Sequence, residues 1–213
     1  MIIYIAGINH YGPFCREQLR YWLTYLSDSK PGNRPCFVAI EWDQDLHKAV
    51  VAQRNGFRQK LMELWPQLPP TSIEKLVQSI GYEADTHSGV FPETRIVWLD
   101  DGRKDPEIHD YADSRIAFYL NCINFSGQSL ADDDPEFVEK LAGFIKANAP
   151  PPRKSGDQRD DKFARSIREN LGDCSSDWAV VIVGFEHARE VDGSMYQLLT
   201  SAGHQCEVEF FWV

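Results

Sequence analysis

Two histidines that lie far apart in the chain follow the same local pattern. His10 comes three residues after Gly7 at the end of an apolar run, and His187 comes three residues after Gly184 at the end of another. Neutral imidazoles that meet in a folded protein bind a divalent metal or act as general bases. In the simpler interpretation, each glycine only supplies the backbone conformation that ends a strand. Because the pattern occurs twice, we favour a shared site.

Two other apolar runs end in a carboxylate. Glu41 follows the run 36–40, and Asp100 follows the run 95–99. A carboxylate at the end of a buried strand requires a partner. Glu41 is therefore a helix cap or a member of an ion pair, or it faces the two histidines as a metal ligand or a general acid/base. Asp100 is followed by Asp101-Gly102, which is typical of a simple turn, so its role is left open.

Charged residues in the C-terminal third add candidates for proton transfer and charge stabilisation. Arg159 and Asp160 begin a predicted helix, where an aspartate is commonly an N-cap. If they face the histidines instead, Asp160 is a proton shuttle and Arg159 stabilises developing negative charge. Glu186 directly precedes His187 and is a second candidate shuttle.

A further polar cluster alternates along a short segment. Glu83, Asp85 and His87 are spaced so that an extended chain places all three side chains on one side. Such clusters bind metals in some proteins and are solvated loops in more of them. The roles of these three residues are left open.

Apolar runs with strand character alternate along the chain with longer segments of helical spacing. The alternation predicts βαβ units, and hence one α/β domain over residues 1–213 with a mostly parallel central sheet flanked by helices. Both histidines then leave the carboxyl edge of the sheet, where α/β proteins bind their ligands. Strands are expected at 2–6, 36–41, 95–100, 179–183 and 206–212, helices at 14–26, 44–64, 72–80, 111–123, from 135, 159–171 and 195–202, and an exposed loop at 150–156.

The composition disfavours nucleic acids and anionic membranes as partners. Lys and Arg number 22 against 32 Asp and Glu, for a formal net charge of −10. An acidic surface repels phosphate groups, which disfavours nucleic acids and anionic membranes. No apolar stretch approaches the roughly 20 residues that span a bilayer, and the N-terminal run lacks the basic start of a signal peptide. The five cysteines are scattered without a CxxC pair, which predicts reduced thiols and a cytoplasmic location.

The ordered set of motifs resembles the TraB/Tiki superfamily, whose relatives include erythromycin-esterase-like and haem-binding ChaN-like proteins. The resemblance implies a TraB/Tiki-like α/β domain over nearly the whole chain. It also implies that the two histidines and Glu41 form the centre of the site, as metal ligands or as catalytic groups. Only the second copy of the motif carries an acid beside its histidine, whereas many relatives carry one in the first copy. The residues that match are Gly7 and His10, Glu41, Arg159-Asp160 with Phe163 and Ile167, and Gly184 and His187.

The leading hypothesis is a hydrolase acting on a peptide, ester or amide. His10, Glu41 and His187 would bind a divalent metal (Mn, Co or Zn) and leave a position for the attacking water. In a metal-free version, His10 is the general base and Glu41 orients it; the sequence does not choose between the two. The alternative is a protein that binds haem or a small molecule in the same cleft without turnover. Whether the chain forms a homo-oligomer is left open.

Overall fold

Five parallel strands form a single sheet at the centre of the protein. The computed structural model describes residues 1–30, 32, 34–100, 110–148, 156 and 158–212. In chain order the elements are β1 (Ile2–Ile8), α1 (Cys15–Ser29), β2 (Val38–Ile40), α2 (Gln44–Ala52), α3 (Arg54–Leu64), α4 (Pro70–Gln78), α5 (Tyr82–Val90), β3 (Ile96–Trp98), α6 (Tyr111–Ser126), α7 (Phe137–Ala147), α8 (Gln158–Leu171), β4 (Trp178–Gly184), α9 (Phe185–Ala188), α10 (Met195–Ser201) and β5 (Gln205–Phe211).

The strand order places β1 and β4, the strands that precede His10 and His187, side by side. The order across the sheet is β3-β2-β4-β1-β5, and each neighbouring pair is parallel. Ile8 at the end of β1 pairs with Gly184 at the end of β4, and Ile40 at the end of β2 pairs with Ile182. The prediction of an α/β fold with a parallel central sheet flanked by helices is therefore confirmed.

Helices cover both faces of the sheet, which is why its inner strands are apolar throughout rather than alternating. Ile3 and Ile5 of β1 pack on one face with α8 and α10, whereas Tyr4 and Ala6 pack on the other with α1 and α5. A separate apolar cluster joins α3, α4, α6 and α7 beside the sheet. The two faces hold β1 and β4 rigidly up to their carboxyl ends.

Several predicted elements differ from the structure, and two of the strands are shorter than expected, Val38–Ile40 and Ile96–Trp98. The helix expected at 44–64 is two helices, α2 and α3, that meet at Gln53. The segment 83–87 is helical rather than extended, because α5 begins directly after Gly81, whose φ of 53° reverses the chain. The helix expected from Pro135 begins at Phe137, since Asp134 accepts a hydrogen bond from the Glu136 amide in a turn that precedes it. The loop expected at 150–156 lies outside the described residues except for Gly156.

The prediction that all cysteines are reduced thiols is wrong for two of them. Cys36 and Cys174 form a disulfide across 138 residues of sequence. The bond joins the chain just before β2 to the chain just after α8, where the fold brings two cysteines together that no sequence spacing relates. Disulfides are typical of oxidising compartments. The cysteines therefore no longer support the cytoplasmic location, which stays a prediction.

Within the described part of the chain, none of the helices combines the length and the apolar character needed to cross a lipid bilayer.

Candidate active site

The carboxyl ends of three neighbouring strands bring the predicted residues together. Glu41 directly follows β2, His187 lies in α9 directly after β4, and His10 lies two residues beyond β1. Because β2, β4 and β1 are adjacent and parallel, all three side chains lie at one edge of the sheet. Residues 177 positions apart thus share one site because of the strand order.

The Glu41 carboxylate lies between the two imidazoles. Nε2 of His10 is 3.5 Å from Oε2 of Glu41, and Nε2 of His187 is 3.3 Å from Oε1. The Gly184 amide also donates to Oε2 of Glu41. Glu41 is buried, so these partners replace the water that its charge has lost.

The opposite nitrogen of each imidazole contacts a second buried carboxylate. Nδ1 of His10 lies 2.8 Å from Oε1 of Glu83, and Nδ1 of His187 lies 2.8 Å from Oδ1 of Asp160. Asp160 also accepts a hydrogen bond from the Met195 amide, which fixes it against the start of α10. Carboxylates and imidazoles therefore alternate in one row, which we call the carboxylate–histidine row: Glu83, His10, Glu41, His187 and Asp160.

Arg159 joins the row to a fourth carboxylate. Its Nη2 donates to Oε1 of Glu41 at 2.6 Å and to Oδ2 of Asp100 at 2.5 Å. The guanidinium carbon lies 5.1 Å from the centre of the Phe163 ring, in cation–π geometry. Asp100 is thus a partner of Arg159 and not merely part of a turn.

The glycines of the two motifs allow a close approach of neighbouring side chains. A Cβ on Gly184 would lie 3.1 Å from Oε2 of Glu41 and 3.2 Å from Nε2 of His10. A Cβ on Gly7 would lie 2.6 Å from the Phe210 ring. Gly184 ends β4 with a φ of −53°, so it does not supply the positive φ that the simpler interpretation requires of the glycine.

The charges in the row are strongly coupled to one another. Burial lowers the pKa of His10, but Glu41 and Glu83 outweigh it and raise the pKa to about 10. Burial likewise lowers the pKa of His187, but Glu41 and Asp160 raise it to about 9. The two imidazoliums hold the pKa of Glu41 well below its ordinary value although burial opposes this. At neutral pH both histidines are therefore cationic and Glu41 is ionised.

The three inner residues of the row, His10, Glu41 and His187, line a cleft of about 460 Å³ together with Arg159. Most of the cleft surface is apolar, and its size lies within the range of about 300–1,000 Å³ that is typical of small-molecule sites. The wall residues come from the β1–α1 loop, α6, α7 and α9, and the apolar ones include Ile8, Tyr11, Phe118, Ile145 and Phe185.

Three sequence candidates lie away from the row. Glu186 lines the cleft, and its carboxylate faces Arg189 at 3.5 Å. Asp85 pairs with Arg54 at 2.7 Å on the outer side of α5. His87 is buried beside Phe91, and burial lowers its pKa to about 4. The structure therefore brings His10, Glu41, His187, Arg159 and Asp160 together and leaves these three out of the row.

The predicted metal ligands do not fit a shared ion in this arrangement. Among the described residues, no three His, Cys, Asp or Glu side chains are placed so that they could hold a metal. His10 contacts Oε2 of Glu41 and His187 contacts Oε1. The Arg159 guanidinium also donates to Oε1. A divalent ion at Glu41 would lie beside this permanent positive charge.

Two residues of the site were not identified as such from the sequence. The sequence leaves the role of Glu83 open, because it predicts an extended segment there. In the structure the first turn of α5 points Glu83 at His10. Arg115 was not singled out; it is fully buried in α6 and donates to the backbone carbonyl of His10. A single arginine in a helix has no spacing signal that separates it from a solvated one.

Comparison of this chain with protein-family models, with curated proteins and with solved structures gives no match. The resemblance to the TraB/Tiki superfamily therefore rests on the short motifs alone and stays a prediction.

Proposed function

We propose that the protein is a metal-free hydrolase of small, uncharged esters or amides that carry an apolar group. One observation carries the proposal: the Glu41 carboxylate lies between the Nε2 atoms of His10 and His187, at 3.5 and 3.3 Å, beside an apolar cleft. A base and an acid held in contact are the two groups that hydrolysis of a carbonyl compound requires. The volume of the cleft favours a small molecule over an extended peptide.

The proton transfers follow from the protonation states. Glu41 accepts a proton from water as the water oxygen bonds to the carbonyl carbon. His10 donates its Nε2 proton to the leaving oxygen or nitrogen as the bond from that atom to carbon breaks. Glu41 then returns the proton to His10 across the 3.5 Å contact between Oε2 and Nε2, which restores the starting state. The roles predicted for the metal-free version, with His10 as base, are thereby reversed.

The other charged residues hold Glu41 in place. His187 and Arg159 both contact Oε1 of Glu41, and the Gly184 amide donates to Oε2. Asp160 orients His187 through Nδ1. These contacts keep the Glu41 carboxylate fixed and ionised, so it can accept a proton, but they also lower its basicity. Proton transfer to Glu41 therefore depends on how the water is positioned rather than on the strength of the base.

The test is hydrolysis of p-nitrophenyl esters from acetate to octanoate, followed with the wild type, Glu41→Gln and Glu74→Gln. We expect Glu41→Gln to lower kcat/KM by about a thousandfold, because it removes the general base. Glu74 pairs with Arg58 at 2.7 Å outside the cleft and is the matched control, so its variant should retain wild-type activity. A wild type without activity on the whole series, or an active Glu41→Gln variant, would contradict the proposal.

A metal-assisted hydrolase is the second candidate, since both Nδ1 atoms contact carboxylates as they do in metal-binding histidines. Elemental analysis of protein purified without chelator tests it. Stoichiometric Mn, Co or Zn that is lost in His10→Ala and in His187→Ala would replace the metal-free proposal. Haem ligation is disfavoured because each imidazole has both nitrogens facing carboxylates; a Soret band on haem titration would reverse that conclusion.

A further inference from the structure

Arg115 is a fully buried cation whose hydrogen bonds all go to neutral groups. Its Nη1 donates to the His10 carbonyl at 2.9 Å and to the Tyr111 hydroxyl at 3.1 Å. Its Nη2 donates to Oγ and to the carbonyl of Ser79 at 2.7 and 3.2 Å, and Nε donates to the Tyr119 hydroxyl at 2.9 Å. Among the described residues, no carboxylate lies within ion-pair distance of it.

These contacts join the two segments whose side chains form one end of the carboxylate–histidine row. His10 lies in the loop after β1, whereas Ser79 ends α4, four residues before Glu83. The Arg115 guanidinium bridges the two backbones at the same place where Nδ1 of His10 meets Oε1 of Glu83. The guanidinium carbon also lies 5.3 Å from the centre of the Tyr11 ring, next to His10 in the chain.

A buried cation without a carboxylate is costly unless every donor finds an acceptor. An apolar side chain would fill the same space between α4 and α6 without that cost. It would not hold the His10 carbonyl at a fixed distance from Ser79, because only a planar fork with several donors does so. A buried guanidinium at this place is explained if its hydrogen bonds fix the position of His10.

We propose that Arg115 is the positioning residue of His10, fixing its backbone so that the imidazole stays in contact with both Glu83 and Glu41. The proposal depends on the proposed function only in naming His10 as the acid. The geometry of His10 is measurable whether or not the protein turns over a substrate.

The experiment compares Arg115→Lys with the matched control Arg54→Lys. Arg54 also donates to the junction before α5, at the carbonyls of Ile80 and Gly81, but makes no contact with His10. The pKa values of His10 and His187 are measured by NMR titration of the histidine rings in each variant. We expect Arg115→Lys to lower the pKa of His10, because the imidazole loosens from Glu83 while the positive charge is kept, and to leave that of His187 unchanged.

In the ester assay, Arg115→Lys should lower kcat by about tenfold with KM unchanged, as misplacement of a reacting group does. Arg54→Lys should retain both values. Ser79→Ala is the second variant, since it removes one anchor of Arg115 with a small change in the core; it should lower the pKa of His10 in the same direction by less.

A structural role alone predicts another pattern. The inference is overturned if His10 keeps its wild-type pKa in Arg115→Lys and in Ser79→Ala, or if both arginine variants change His10 and His187 alike. A wild type that hydrolyses no ester contradicts the proposed function, and the NMR titration then decides the positioning role by itself.

Discussion

His10 and His187 contact the same carboxylate, yet they lie in different kinds of structure. His10 belongs to a loop, its side chain is 25% exposed, and it faces the cleft. His187 belongs to a short helix, its side chain is 5% exposed, and its ring centre lies 5.0 Å from that of Phe163. The partner of His187, Asp160, is fully buried.

The difference indicates that the two copies of one motif have different tasks. Both imidazoles lie between two carboxylates and line the cleft. The more exposed imidazole of His10 can reach a substrate, whereas the buried imidazole of His187 holds its carboxylates in place. We therefore expect His10 to determine the rate and His187 to determine stability. The following variants separate these two expectations.

The largest expected effect is on turnover in His10→Gln. Glutamine retains hydrogen-bonding atoms, but its amide does not titrate and cannot give up a proton, so general-acid catalysis is lost and kcat should fall by about a thousandfold. Stability in urea should fall as well, because buried Glu83 loses its cation. The loss should be smaller than in His187→Gln, since the His10 side chain is partly solvated. His204→Gln, outside the cleft, is the control. An active His10→Gln variant would remove the distinction between the two histidines.

In His187→Gln the main effect should be on folding. Removing one member of a buried charged pair leaves Asp160 without its cation, which typically costs about 3 kcal/mol of unfolding free energy. Urea denaturation of His187→Gln and His10→Gln measures the contrast directly. Equal midpoints for the two variants would show that burial does not distinguish the histidines.

A smaller effect on stability is expected at the amino end of the sheet. The Cys36–Cys174 disulfide joins β2 to the end of α8, and these elements carry Glu41 and Asp160, the two partners of His187. Replacing both cysteines by serine should lower the unfolding free energy by about 2 kcal/mol, while kcat of the folded protein stays unchanged. A large loss of kcat would mean that the disulfide also shapes the site.

The sequence determines the two histidine-bearing strands well, because apolar runs buried on both faces of a parallel sheet are unambiguous. Parallel strands place His10, Glu41 and His187 at one edge of the sheet, but the three meet only because β2, β4 and β1 are neighbours, and the strand order was not predicted. The position of Glu83 is not predictable from the sequence. Polar residues that alternate over five positions fit a strand, but they also fit the start of a helix that buries Glu83 and His87, four residues apart. Arg115 and the disulfide depend on contacts between distant segments, and no local spacing encodes them.

The dependence of kcat/KM on pH shows whether His10 acts as an acid beside an ionised Glu41. Hydrolysis is followed by titration of the released acid from pH 5 to pH 10.5, with uncatalysed hydrolysis subtracted and circular dichroism checking the fold at each pH. Because the pKa of His10 is raised to about 10, kcat/KM should be flat through neutral pH and fall as the pH rises through that value. The same decrease of kcat/KM at high pH is expected for the His187→Gln variant. A rate that instead increases between pH 8 and pH 10 would show a histidine acting as the base and would contradict the account.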